Sequence, residues 1–117
     1  MINVSKYSKY ACQRELKFTN KVSAQDIKAL VGALCSCLGE HLEKQTFLLG
    51  NLKGIFKCEK GFLSFSTTSF AEDCHMDIHL EDSFKDGILI INLIGYGLSD
   101  DSLKVLIENC LDKNTHS

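Results

Sequence analysis

The sequence predicts a two-layer α+β sandwich, a mainly antiparallel sheet with two helices on one face. Three observations carry this. Two segments, one opening at Ser23 and one at Ser99, repeat apolar residues at helical spacing. Four extended segments follow one another between them, and strands consecutive in the chain favour antiparallel pairing. Each helix has a single apolar stripe to bury, so both are expected on the same side of the sheet.

The elements follow in order. Residues 1–13 are polar, with Lys6, Tyr7, Lys9 and Tyr10, and read either as a flexible arm or as a first edge strand. Residues 15–19 (ELKFT) alternate and read as a short strand. Ser23-Ala24-Gln25-Asp26 resembles a capping box with Asp in place of Glu, its carboxylate near the positive helix end. Ile27, Leu30, Val31, Leu34, Leu38 and Leu42 form the stripe of that helix. His41, near its end, is expected to be solvated or to face the negative end of the helix dipole. Residues 46–56 and 61–70 read as strands, with the turn residues Lys57, Glu59, Lys60 and Gly61 between them. Residues 74–80 alternate again: His75, Asp77 and His79 share one face, Met76, Ile78 and Leu80 the other. A polar loop over 81–87 leads to 88–94 (ILIINLI), the most apolar strand, expected to be central; Asn92 is its single polar side chain. Gly95-Tyr96-Gly97 ends it. Ser99 caps the last helix, with Asp100 and Asp101 in its first turn and Leu103, Leu106, Ile107, Cys110 and Leu111 as its inner stripe.

The chain has 117 residues, no proline, and no linker, repeat or low-complexity segment, so one domain over 1–117 is expected. Apolar residues make up 44% and charged residues 24%, which argues against disorder. A formal charge of −2 gives no electrostatic footprint for nucleic acid or an acidic membrane. No apolar run approaches the roughly 18 residues that span a bilayer. The first residues, MINVSKYSKYACQREL, lack a signal peptide's apolar core, so a cytoplasmic location is the default expectation. The six cysteines, Cys12, Cys35, Cys37, Cys58, Cys74 and Cys110, are then read mostly as small buried hydrophobes rather than as a disulfide framework. Cys35-Ser36-Cys37, with one residue between, is neither a redox C-x-x-C nor half of a usual zinc ribbon.

Chemistry concentrates in Glu72-Asp73-Cys74-His75-Met76-Asp77-Ile78-His79. As a metal site it is poorly spaced: His75 and His79 share a strand face but stand about 13 Å apart along it, and a metal holds its ligands at about 2 Å. No metal is therefore expected there. As a thiol site, Cys74 would be the nucleophile and a histidine its base. Cys74 and His79 differ in strand parity, so that pairing needs a bend or bulge.

The stretch Asp73-Cys74-His75-Met76-Asp77-Ile78-His79 also resembles the processing site of the S-adenosylmethionine decarboxylase family. The prokaryotic-type pattern is Glu-Ser-His-x-x-Ile-His, then a short loop and an apolar strand ending in Cys-Gly. Here that strand is Ile88 to Ile94, ending Gly95-Tyr96-Gly97. The likeness covers most of residues 15–112 in order and length; only the seven-residue motif is specific. The family's His-Thr-x-Pro-Glu downstream is reduced here to His79-Leu80-Glu81.

The resemblance implies a self-processing proenzyme. In the family the serine hydroxyl attacks its own preceding carbonyl, and elimination then leaves a pyruvoyl group on the new N-terminus. Carried over, cleavage falls between Asp73 and Cys74, with the pyruvoyl group derived from Cys74 and no metal. His79 matches the processing histidine. Ser66 matches the helper serine, or Ser64 if Gly61 sets the count. Tyr96 falls where a cysteine returns the proton to the substrate carbon. The substrate implied is S-adenosylmethionine or another amino acid with a cationic tail, in polyamine synthesis, and the assembly implied is a homodimer. Phe56, Phe62, Phe70 and Phe84 are candidates for stacking on the adenine. The changes at Cys74 and Tyr96 support an alternative: an uncleaved, inactive homologue serving as a regulatory or structural subunit. An unrelated α+β interaction domain is the third reading. Beside each role stands a plainer one: Cys74 as a core thiol, His75 and His79 as hydrogen-bonded strand residues, Ser66 as a half-buried strand residue, Tyr96 as cover for a turn.

Overall fold

The computed structural model describes residues 7–44 and 47–115. Their order is β1 (Ser8–Val22), α1 (Ala24–Glu43), β2 (Leu48–Cys58), β3 (Gly61–Thr67), β4 (His75–Leu80), β5 (Phe84–Tyr96) and α2 (Asp100–Thr115). The strands form one sheet in the order β1-β5-β2-β3-β4, every neighbouring pair antiparallel. Both helices lie on one face, giving the α+β sandwich the sequence predicts.

The sequence reading needs correction at several places. The strand read over 46–56 starts at Leu48 and runs through Lys57, read as a turn residue, to Cys58, and the strand read over 61–70 ends at Thr67. The first strand runs from Ser8 to Val22, so residues from Ser8 on form an edge strand; residues 1–6 lie outside the described residues. The polar loop over 81–87 is shorter, because Phe84 already belongs to β5 and is buried at 3% exposure. Finally, β5 is interior but not the middle strand, a position that β2 takes.

The helix N-terminus forms as its sequence predicts. Ser23 Oγ accepts from the Asp26 N–H at 3.2 Å, and the Ser23 N–H donates to Asp26 Oδ2 at 2.8 Å. Asp82, from the loop before β5, takes the N–H of Ala24 at 2.7 Å, so two carboxylates meet donors that the helix leaves unpaired. At the other end of the sheet, β1 is tied to α2. Tyr10 Oη donates to Glu108 at 2.5 Å, and Arg14 pairs with Asp112 at 2.7 Å. The core lies between the layers: Ile27, Val31, Leu34, Leu38 and Leu42 of α1 and Leu103, Ile107 and Leu111 of α2 cover Leu52, Phe56, Leu63, Leu89, Ile91 and Leu93.

Candidate functional site

The connection between β3 and β4, residues 68–74, departs from regular strand geometry. Its start is shaped by hydroxyls: Thr67 Oγ1 donates to the Ser69 carbonyl at 2.7 Å, and Ser69 Oγ accepts from the Ala71 N–H at 3.2 Å. Gly39 of α1 lets the loop close on the helix, because a Cβ there would stand 2.9 Å from the Phe70 Cβ. An irregular backbone is expected over Asp73–His75. It is found at Asp73 and Cys74, while His75 already opens β4.

A cleft of about 900 Å³ lies between this loop, β4 and α1, lined by Lys28, Gly32, Cys35, Phe70, Glu72, Asp73, Cys74 and Met76 among others. Gly32 has nothing within 4 Å of where a Cβ would stand, so it borders open space. Asp73 also borders a second hollow, of about 350 Å³, which Lys53, Ser66, Glu72 and His75 line as well. Thr67, Glu72, Asp73 and His75 border both hollows, and Cys74 borders the larger one.

Cys74 is half-buried, and its Sγ donates to the Ser66 carbonyl at 3.3 Å. Burial pushes its thiol up from the ordinary value, and the hydrogen bond it accepts from Cys35 offsets part of that. Cys35, on α1, meets Cys74 directly; burial, then the charge and hydrogen bond of Cys74, push the Cys35 thiol up to about 12. Cys35 is the member of this site that the sequence reading misses. Only its position on α1 pointed to it, since the strand it meets lies far along the chain.

Register decides which of the expected residues meet. Ser66 stands opposite His75, whereas Ser64 stands opposite Asp77. Of the two serines, Ser66 is therefore the one beside Cys74. His79 does not join them. It lies four positions beyond His75, about 13 Å along the strand, opposite Phe62, with the ring centroids 5.0 Å apart. It pairs with Asp77 at 3.5 Å. No bulge reverses its parity, so Cys74 borders the helix-side cleft with Met76, and His79 does not. Tyr96 is not brought to Cys74 either. It ends β5 opposite Leu48, with β2 and β3 between β5 and β4, and it lines neither hollow. Its neighbours serve other ends: Gly97 takes a φ of +115°, and a Cβ at Gly95 would stand 2.0 Å from Phe47 Cζ. Of the four phenylalanines, Phe70 borders the cleft; Phe56 and Phe84 pack together in the core at 5.6 Å, and Phe62 lies against His79.

No family model, curated protein or solved structure matches the chain. Among the described residues, no helix is long and apolar enough to cross a membrane.

Proposed function

We propose that this chain is a self-processing, pyruvoyl-dependent decarboxylase of the S-adenosylmethionine decarboxylase kind, cut between Asp73 and Cys74. One observation carries the reading: Cys74, with Asp73 before it, borders an open cleft in an irregular segment, rather than lying in a paired strand or sealed core. Processing needs only this chain's atoms and water. Cys74 Sγ attacks the Asp73 carbonyl carbon, the C–N bond breaks, and the freed amine takes the thiol proton. Loss of the Cys74 Cα proton then breaks the Cβ–S bond. Asp73 leaves as a thiocarboxylate, and water releases ammonia from residue 74 to give the ketone. The pyruvoyl group supplies an electron sink for decarboxylation next to an amine.

The cleft's size lies within the range of small-molecule sites. Glu72 and Asp73 suit a cationic tail, Lys28 a carboxylate, and Phe70 an aromatic ring. Cys35, which stays protonated at neutral pH and meets residue 74, is the acid placed to return a proton, in the role the resemblance assigns to Tyr96. Intact-mass measurement tests the reading. Two fragments, 1–73 and 74–117, are expected, the second ketone-blocked and the first carrying the sulfur. Release of labelled carbon dioxide from S-adenosylmethionine should follow, slowed by Cys35→Ala and unchanged by Tyr96→Phe.

A second reading is an uncleaved homologue acting as a regulatory or structural subunit. It is favoured by the distance of His79 and Tyr96 from Cys74. A single intact chain after long incubation, with no decarboxylation, selects it.

A further inference from the structure

We propose that Cys37, His41 and Cys110 form a binding site for a thiophilic divalent cation, zinc above all, that staples α1 to α2. Cys37 and His41 are four residues apart on α1, so one helical turn puts them on the same face. Cys110 comes from the inner stripe of α2, which packs against α1. Their three donor atoms, two sulfurs and an imidazole nitrogen, all lie within 4.8 Å of one another. Ligand atoms of a tetrahedral zinc site stand roughly 3.5–3.8 Å apart, given bonds of about 2.0 Å to nitrogen and 2.3 Å to sulfur. The cluster therefore needs to close by at most about 1 Å, a side-chain adjustment rather than a helix movement.

The burial pattern suits an ion that enters from solvent. Cys37 and Cys110 are 8% and 1% exposed and form a closed back, while His41 stands exposed at the rim. That leaves one side open for entry and for water as a fourth ligand. His41 has no hydrogen bond or ion pair among the described residues, so its ring is free to turn onto a metal. Two thiolates and an imidazole select zinc-like ions over magnesium or calcium, which take oxygen. Nothing here depends on cleavage at Cys74, and the site lies apart from the cleft: Cys35 and Cys37, two residues apart, sit about 200° around the helix from each other.

The test uses the full chain, stripped with chelator and kept reduced. Cobalt(II) is the spectroscopic probe and zinc is titrated by chelator competition. The expected result is one ion per chain, a thiolate-to-cobalt charge-transfer band, tetrahedral visible bands, and a rise in Tm with zinc. Cys37→Ser and Cys110→Ser should abolish the charge-transfer spectrum or halve it. His41→Ala changes an exposed residue and leaves the fold intact. It should weaken zinc binding at least as much as the 10–100-fold typical of losing a supporting contact around a metal. Cys74→Ser, whatever it does to cleavage, should leave cobalt and zinc binding as in the parent. The proposal is overturned if the parent gives no thiolate–cobalt band, if His41→Ala binds zinc as the parent does, or if Cys74→Ser removes the band. A Cys37–Cys110 disulfide forming in place of metal uptake also overturns it.

Discussion

Cys74 and Cys35 touch, yet they differ as reagents. Burial lifts both thiols, but Cys74 accepts a partly compensating hydrogen bond from Cys35 and opens onto the cleft, whereas Cys35 is pushed up to about 12. The thiolate is the nucleophile, and below a thiol's pKa its fraction rises about tenfold per pH unit. In the uncleaved chain, the only form in which residue 74 keeps its sulfur, iodoacetamide should therefore label Cys74 before Cys35, with the Cys74 rate still climbing past pH 9. Peptide mapping after timed quenching reads both rates. A Cys74 rate that levels off below pH 8, or Cys35 labelled first, contradicts this environment. The six thiols show what residue types alone conceal. Cys35 and Cys37 look like a pair in the sequence, but the helical rotation between them sends one to the cleft and the other toward Cys110. Their true partners are 39 and 73 residues further along the chain, beyond the reach of local spacing. His79 shows the converse. Its motif position matches a processing residue, while the parity of an unbulged strand, equally legible in the sequence, places it on the other face.

At the scale of elements, α1 governs the site because it supplies one wall of the cleft. Its start depends on a reciprocal pair of hydrogen bonds between Ser23 and Asp26. Ser23→Ala removes the acceptor for the Asp26 N–H and should cost about 1 kcal/mol, read as a lower urea midpoint with the slope unchanged. An unchanged midpoint would show the cap to be dispensable. Further along, Gly39→Ala sets a methyl 2.9 Å from the Phe70 Cβ, where a neighbour must move. Overpacking of this kind costs about 1–3 kcal/mol, and the loop is the softer side. The variant should be less stable, and in its uncleaved chain Cys74 should be alkylated faster as the loop lifts from α1. Stability and labelling both at parent values would place the loop elsewhere. The elements themselves were largely legible. The capping box, the helical stripes and the alternation over 74–80 each reflect local physics. Two features were not. The far reach of β1 is hidden because its outward side chains are polar and its inward ones are spaced between them: the ladder with β5, rather than any apolar run, extends it. The insertion of β5 between β1 and β2 is a non-local choice on which local patterning is silent.

For the whole molecule, no element among the described residues covers the second face of the sheet, and the composition of β5 does not fit a bare face. Residues 88–94 are apolar at every position but Asn92, the pattern of a strand covered on both sides. The helices cover Leu89, Ile91 and Leu93, which are 0–1% exposed. Ile88, Ile90 and Ile94 alternate with them and so face away; Ile55 stands opposite Ile90, and Lys57 stands between Ile88 and Phe62. Ile94 is 41% and Phe62 37% exposed. A second copy packing sheet against sheet would bury this stripe, and a homodimer is what the family resemblance leads one to expect. Charges share the face: Lys53 and Lys57 flank Ile55 on β2, and Asp77 on β4 stands level with Ile55 across Ser64. Sedimentation at tens of micromolar should give a dimer. Ile90→Lys places a charge in the middle of the stripe without touching the core between sheet and helices. It should sediment as a monomer with an unchanged far-ultraviolet circular dichroism spectrum, and if the dimer completes the site, processing or decarboxylation should fall with it. A monomeric parent would leave the second face of β5 uncovered, and a dimeric Ile90→Lys would place the contact on some other surface. Loss of the dimer with cleavage intact would separate assembly from the chemistry at Cys74, making the sheet face a matter of stability alone.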